Sequence, residues 1–471
     1  MRILHYSLGF PPYRSGGLTK FCLDLMIEQK NEGDEVALLW PGQMGFINKK
    51  IKIKKRKSYL NSYQEIESFE LVNPLPISFD EGIKAFENFT LKGDKNEFYS
   101  FLKSFKPDVI HVHTLMGIHK EFFEVAKSLN IRLVFTAHDF FPICPKVTLF
   151  RNGEICDSVD NCKKCASCNS TALSINKIQI LQSPIYRTLK DSTLVKKLRK
   201  SHRDRYLSDN TFKSIDSGPN KDYIDLRNYY YSMLLMMDII HFNSTITKKN
   251  YEKYFDLPNS AIIPVSHSSI KNNCKIKNYN HDKLRIRYLG PASKAKGFYL
   301  LKECLDDIWK ERQDFVLDIH FNPIEKSDYM NIHERYNYDE LNNIFDETDV
   351  LLVPSILYET FGFTALEGLS FGVPVIVSDT VGAQDILMDK FGIIVNNITK
   401  ENLKKVFENL SFEDLKNMNQ SIVNLFKVII ESALKNILGN ICVSSKYLLN
   451  LYNKWFSLRK LFLYKFNTAG A

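Results

Sequence analysis

The stretch Tyr358-Glu359-Thr-Phe-Gly362-Phe-Thr-Ala-Leu-Glu367-Gly368 lies between two apolar runs, Val350-Leu-Leu-Val-Pro354 before it and Pro374-Val-Ile-Val-Ser-Asp379 after it. The runs read as strands, and the segment ending at Gly372 reads as a helix. A β-loop-α-β unit of this kind commits a chain to an α/β fold. The loop after the strand and the helix N-terminus then face a ligand crevice, where free backbone N–H groups favour phosphate. Glu359 falls on the loop and Glu367 on the helix. An unbroken helix would hold them roughly 12 Å apart along its axis, so a turn at Gly362 lets the two carboxylates grip different parts of one elongated ligand. Ionised carboxylates only accept hydrogen bonds, which suits vicinal hydroxyls. The site is therefore read as one for a polyhydroxylated ligand.

The same pattern opens the chain. Met1-Arg-Ile-Leu-His-Tyr-Ser-Leu reads as a strand, Gly9 to Gly17 as a glycine-bearing loop, Leu18 to Asn31 as a helix and Glu35 to Trp40 as a second strand. Gly16-Gly17 allows close approach of backbone to a ligand at a helix start. Pro107-Asp-Val-Ile-His111-Val-His113 and Ile131-Arg-Leu-Val-Phe-Thr-Ala-His138-Asp139 read as buried strands ending in polar residues, the end where chemistry gathers in doubly wound sheets. His138 is the main candidate there. His111 and His113 are read as pointing in opposite directions along their strand, which leaves one of them, His113, for the crevice.

Residues from about 144 to 236 form a polar, aromatic and basic stretch that reads as a mostly helical insertion, and Pro258-Asn259-Ser260 reads as a linker. A second α/β pattern starts at Leu284-Arg-Ile-Arg-Tyr-Leu-Gly290. The expected division is 1–258, 259–430 and a helical tail at 431–471. That tail is read as helices packing across the domain junction, its rival being a membrane-surface helix with Lys454, Arg459, Lys460 and Lys465 toward lipid.

At 471 residues there is chain for two or three domains. Hydrophobic content of 44% and charged content of 25% are those of an ordinary globular protein. The net charge of +9 is concentrated in Lys49 to Lys57 and Arg187 to Arg205. These runs are read either as a solvated face or as a surface for anionic lipid. They lack interleaved aromatics, which argues against nucleic acid as a partner. The first residues read as a core strand rather than a signal peptide, and no uncharged run reaches the length of a membrane span, so a cytoplasmic protein is expected.

Taken together, Gly16-Gly17, Gly290 to Lys296-Gly297 after a strand, the Glu359-x7-Glu367 spacing and Gly372-Val-Pro-Val-Ile-Val-Ser-Asp379 followed by Val381-Gly382 resemble the retaining glycosyltransferases of family four. The likeness covers nearly the whole chain. It implies the GT-B fold: two Rossmann-like doubly wound domains facing a central cleft, the N-terminal one on the acceptor side, the C-terminal one holding a nucleotide sugar, and a C-terminal helix crossing the junction. It also implies roles. Glu367 would hold the ribose hydroxyls, and Glu359 would stand beside the transferred sugar. Lys296 would bind the diphosphate, with Gly16, Gly17, Gly290, Gly362, Phe363 and Thr364 lining the donor and His138 touching its sugar. The family commonly has arginine directly after Gly290; here Pro291 takes that place, and either Lys294 or a basic residue elsewhere in the chain is the expected substitute. No cofactor for catalysis is implied, and no Asp-x-Asp metal signature stands out.

Five of the nine cysteines fall between Cys144 and Cys168. In a cytosolic chain they point to reduced thiols or a metal rather than disulfides. A structural zinc on Cys144, Cys156, Cys165 and Cys168, with Cys162 as substitute, is the expectation; free thiols and an iron–sulfur cluster are the alternatives. The expected function is transfer of a sugar from a nucleotide sugar to a glycan, lipid-linked, in cell-surface polysaccharide synthesis, at the inner face of the membrane. A small soluble acceptor and a non-catalytic nucleotide-sugar binder are the rivals.

Overall fold

A computed structural model describes residues 1–426, apart from 12, 13, 15, 58–65, 79, 80, 152, 158, 160, 190, 191, 194–219, 324, 388 and 389. The expected tail helices at 431–471 and most of the run from Arg187 to Arg205 lie outside the described residues.

Two sheets carry the fold. The N-terminal sheet holds β1 (Arg2–Tyr6), β2 (Glu35–Pro41), β3 (Lys52–Arg56), β4 (Glu67–Val72), β5 (Val109–Val112) and β6 (Arg132–Ala137). The two-stranded ribbon β7 (Phe150–Arg151) and β8 (Glu154–Ile155) lies outside it, and β9 (Ile239–Phe242) and β10 (Ser260–Ile262) complete it. Its order is β10-β9-β6-β5-β1-β2-β4-β3, with all pairings parallel except β3 with β4. The C-terminal sheet holds β11 (Leu284–Tyr288), β12 (Phe315–Ile319), β13 (Met330–Ile332), β14 (Val350–Val353), β15 (Val375–Ser378) and β16 (Gly392–Val395). Its order is β13-β12-β11-β14-β15-β16, parallel throughout. Parallel strands covered on both faces read as continuous apolar runs, and β5, β14 and β15 are buried at every residue.

The order in which successive strands are added reverses between β1 and β5 in the first sheet and between β11 and β14 in the second, while the strands stay parallel. Ligands of open α/β sheets bind at such points, outside the carboxyl ends of the strands. The loops after β1, β5, β11 and β14 are the ones that carry Gly16-Gly17, His113, Lys296 and Glu359.

Two expectations change here. Pro258-Asn259-Ser260 is not a linker: Ser260 begins β10, which pairs with β9, and the Ile240 N–H donates to Asn259 O at 2.8 Å. The first sheet thus runs past residue 258. The insertion is helical in Ile175–Leu181, Pro184–Leu189 and Lys221–Leu234, but it begins with the ribbon β7–β8. The halves share a core, since Phe21, Val109 and Val134 of the first cluster with Leu351, Ala365 and Val377 of the second.

Candidate functional site

Two glycines shape the C-terminal side. Gly297 (φ 74°) precedes helix Phe298–Trp309, and a Cβ there would fall 1.8 Å from Pro354 O. Gly362 (φ 96°) precedes helix Phe363–Ser370, and its Cβ would fall 2.6 Å from Val381 Cγ1. Only glycine fits left-handed backbone packed this closely. The loops after β11 and β14 therefore lock together, with Ile356 N–H donating to Ala295 O at 2.9 Å. Gly290 leaves room for the Tyr288 hydroxyl, which folds the loop back by donating to Pro291 O at 2.8 Å.

Glu359 is splinted on both sides of its peptide. Its N–H donates to Thr380 O, and its carbonyl accepts from Gly382 N–H, each at 3.0 Å. The side chain accepts a hydrogen bond from the Ser355 hydroxyl. Lys296 Nζ lies 3.1 Å from the same carboxylate oxygen, with Lys296 34% exposed and Glu359 15%. The result is a cleft-facing ion pair beside the N-terminus of helix Phe363–Ser370, where free amides and the helix dipole favour an anion.

The N-terminal side is built differently. His138 follows β6, and its Nε2 lies 3.2 Å from His113 Nδ1; His113 Nε2 lies 3.0 Å from His5 Nδ1, and His5 Nε2 lies 2.7 Å from Gln29 Oε1. Burial holds these imidazoles neutral: the pKa of His138 is lowered to about 3, that of His5 to about 4 and that of His113 well below the usual histidine value. Asp139 is pushed the other way by burial, up to about 6. The expectation that His111 and His113 point in opposite directions is corrected. Residues two apart on a strand share a face, and the two rings lie 4.1 Å apart. His113 is wholly buried behind His138, so it does not itself line the crevice.

The two sides meet at Thr360, next to Glu359. Its hydroxyl donates to His138 O at 3.0 Å, and its carbonyl accepts from Ser244 Oγ at 2.6 Å and Thr247 Oγ1 at 2.9 Å. Gly16 (φ 112°) caps helix Gly17–Asn31, and a Cβ on Gly17 would lie 3.0 Å from the Phe363 ring. The N-termini of two helices, one from each half, thus face one another. Phe363 and Thr364 form the first turn of the second.

Glu367 is 6% exposed. His267 Nε2 lies 3.5 Å from its carboxylate, and the Tyr338 hydroxyl hydrogen-bonds to it; burial, and then the Glu367 charge, raise the Tyr338 pKa.

Sequence reasoning missed Ser355, Thr360, Ser244, His267, Tyr338 and the pair His5–Gln29. Ser244 had a readable signal, the polar Asn243-Ser244 at the end of an apolar strand. The others sit in segments without periodicity or on unrelated elements.

The Lys294 ammonium lies against Gly153 of the insertion. The expected cysteines gather in the insertion, Cys144 with Cys168 and Cys156 nearby. The thiols of Cys162 and Cys165 hydrogen-bond, in a turn that Cys162 enters at φ 61°. Burial, with Cys168 and Cys156 nearby, pushes Cys144 up to about 12. A zinc tetrahedron keeps its sulfurs about 3.8 Å apart. Among the described residues, the group of three metal-capable side chains with ligand atoms within 4.8 Å is His5, His111 and His113, and no three of these cysteines form one. The basic run at Lys49 to Lys57 supplies the edge strand β3, where Lys55 pairs with Glu67 and Arg56 with Glu70. Charged edge strands resist unwanted pairing, which accounts for part of that run without lipid. Among the described residues no helix is long and apolar enough to cross a membrane.

The chain matches Glycosyl transferases group 1 over residues 324–423 and Glycosyltransferase Family 4 over residues 15–155. It is 31% identical over 128 residues to an uncharacterized 41.2 kDa protein in the cps region of Klebsiella pneumoniae, covering 26% of this chain and 36% of that one. Among solved structures it is similar to a sucrose-phosphate synthase from Thermosynechococcus elongatus (TM-score 0.51, 13% identity, 97% of this chain and 99% of that one). It is also similar to an E. coli trehalose-6-phosphate protein bound with UDP-2-fluoro glucose (TM-score 0.52, 11% identity, 94% and 100%). Two Rossmann-like sheets whose switch points face each other, with each half matched by its own glycosyltransferase family, make this chain a family-four-type glycosyltransferase of GT-B fold.

Proposed function

We propose that the protein is a retaining glycosyltransferase that moves a sugar from a nucleoside-diphosphate donor to a glycan acceptor, lipid-linked, in cell-surface polysaccharide synthesis at the inner face of the membrane. The observation that carries this reading is the Lys296–Glu359 ion pair, set beside a helix N-terminus and 3.1 Å across, with His138 on the opposing wall. Lys296 and the amides of Phe363 and Thr364 receive the diphosphate, whose negative charge grows as it leaves, so stabilisation there lowers the barrier. The C1–O bond to phosphate breaks. The acceptor oxygen bonds to C1 on the same face, and its proton passes to the departing phosphate oxygen, giving a nucleoside diphosphate and a glycoside of retained configuration. Glu359 already holds Ser355 and Lys296, which supports a role in binding and charge balance rather than as a covalent nucleophile. Glu367 receives the ribose hydroxyls once Tyr338 swings aside.

For the acceptor, the N-terminal half offers a cavity of about 130 Å³ lined by Phe10, Arg14, Trp40, Gln43, Ser183 and Tyr186. Aromatic faces with polar edges suit a sugar ring. The relative from a cps region supports the polysaccharide pathway. A panel of nucleotide sugars tests the reading. One donor should raise the melting temperature and be slowly hydrolysed to its nucleoside diphosphate, because ligand bound only by the native state stabilises it. No shift and no hydrolysis with any common nucleotide sugar would overturn it.

A further inference from the structure

The transfer chemistry leaves unused the line of side chains behind His138. It runs from Gln29 on helix Gly17–Asn31 through His5 on β1 and His113 after β5 to the cleft, with contacts of 2.7, 3.0 and 3.2 Å. His5 and His113 are 0% exposed and Gln29 is 2% exposed. Burial favours the neutral form of each imidazole, and a neutral imidazole has one N–H donor and one acceptor nitrogen. The direction of one bond therefore fixes the next.

Gln29 Oε1 can only accept, so His5 carries its proton on Nε2. His5 Nδ1 then accepts from His113 Nε2–H, and His113 Nδ1 accepts from His138 Nε2–H. His138 is left with a bare Nδ1, for which the described residues supply no hydrogen-bond donor. We infer that Gln29, acting through His5 and His113, sets the tautomer of His138, so that this wall of the cleft presents a hydrogen-bond acceptor and selects a hydroxyl-bearing group of the transferred sugar. Gln29, His5 and His113 are positioning residues. The selection of a hydroxyl rests on the donor-sugar reading above; the tautomer does not.

The same cluster has a competing use. The ligand nitrogens of His5, His111 and His113 lie within 4.8 Å of one another, and His111 Nδ1 is buried without a partner among the described residues. A metal held by these three rings would draw on bare ring nitrogens, whereas His5 Nδ1 and His113 Nε2, 3.0 Å apart, already share a proton, which favours the relay.

The test is a long-range 1H–15N spectrum of the full-length protein labelled with 15N-histidine, recorded before and after EDTA. His5, His113 and His138 should each show a protonated Nε2 and a bare Nδ1, unchanged by EDTA. The Gln29→Leu variant should give a mixed tautomer at His138 and a donor kcat/KM lowered about fivefold to tenfold, the worth of one hydrogen bond. A wild-type His138 protonated at Nδ1 would overturn the inference, as would EDTA-sensitive shifts of His5, His111 and His113, which would place a metal there. Because the wild-type spectrum needs neither variant nor substrate, its failure sinks the relay alone. An intact pattern in a protein that turns over no nucleotide sugar sinks the functional reading instead.

Discussion

The two halves bring opposite chemistry to one cleft. The C-terminal wall handles charge: Lys296 and Glu359 form a partly exposed ion pair at a helix N-terminus. The N-terminal wall excludes charge, with His5, His113 and His138 buried neutral in a hydrogen-bonded line. A nucleotide sugar has the same asymmetry. Its diphosphate demands cations and amides, and its sugar demands directional hydrogen bonds, so under the proposed function each wall serves one end of the donor.

Acid should break this comparison most strongly. In the unfolded chain histidines titrate near 6.5. His5 and His241 are held to about 4 in the fold and His138 to about 3, by burial. Their contribution to stability is therefore intact above about pH 6.5, and it is lost as pH falls from there toward 4 and 3, because the unfolded chain takes up protons the native state refuses. Asp139, raised to about 6, acts in the opposite sense over part of that window and offsets one histidine. The net loss should be several kcal/mol, at about 1.4 kcal/mol per unit of separation. Urea denaturation at about pH 8 and about pH 5 measures it; equal unfolding free energies would mean the histidines are not held neutral.

On the charged wall, Lys296→Ala should lower kcat about a hundredfold to a thousandfold with a smaller change in donor binding, since leaving-group charge grows in the transition state. An unaltered kcat at saturating donor would remove Lys296 from the chemistry. Glu367→Ala should weaken donor binding by about 1.5–3 kcal/mol, read by calorimetry, and unchanged affinity would contradict the ribose assignment. The smallest effect is expected at the contact between the walls. A Cβ at Gly17 would meet the Phe363 ring at 3.0 Å, a distance that a ring can relieve by shifting slightly. Gly17→Ala should raise the donor KM a few-fold and leave the fold stable, as read by steady-state kinetics and a thermal melt.

The charged wall was legible in the sequence, because Glu359, Gly362 and Glu367 lie within one β-loop-α unit and local spacing dictates their geometry. Lys296 was legible as the residue before a helix-opening glycine. The neutral wall was not. Gln29, His5, His113 and His138 come from a helix and three strands, and only the sheet order brings them together. His138 could be singled out as a strand-end residue, but its partners could not, and the strand period that puts His111 beside His113 was misapplied. The cysteines are a middle case: their density along the chain marked the cluster, while the turn that brings Cys162 against Cys165 carries no sequence signal. Tyr338 over Glu367 carries no sequence signal, since it opens a one-turn 3-10 helix, Tyr338–Glu340, on a different element from Glu367.

The central claim is that one donor is held by both walls at once. Amide hydrogen exchange with and without the nucleotide sugar identified by the thermal screen tests this most directly. Protection should appear together at the first turn of helix Phe363–Ser370, at the loop Leu289–Gly297, at the start of helix Gly17–Asn31 and around His138. Protection confined to the C-terminal half, with Gly17 and His138 exchanging as in the free protein, would contradict the account.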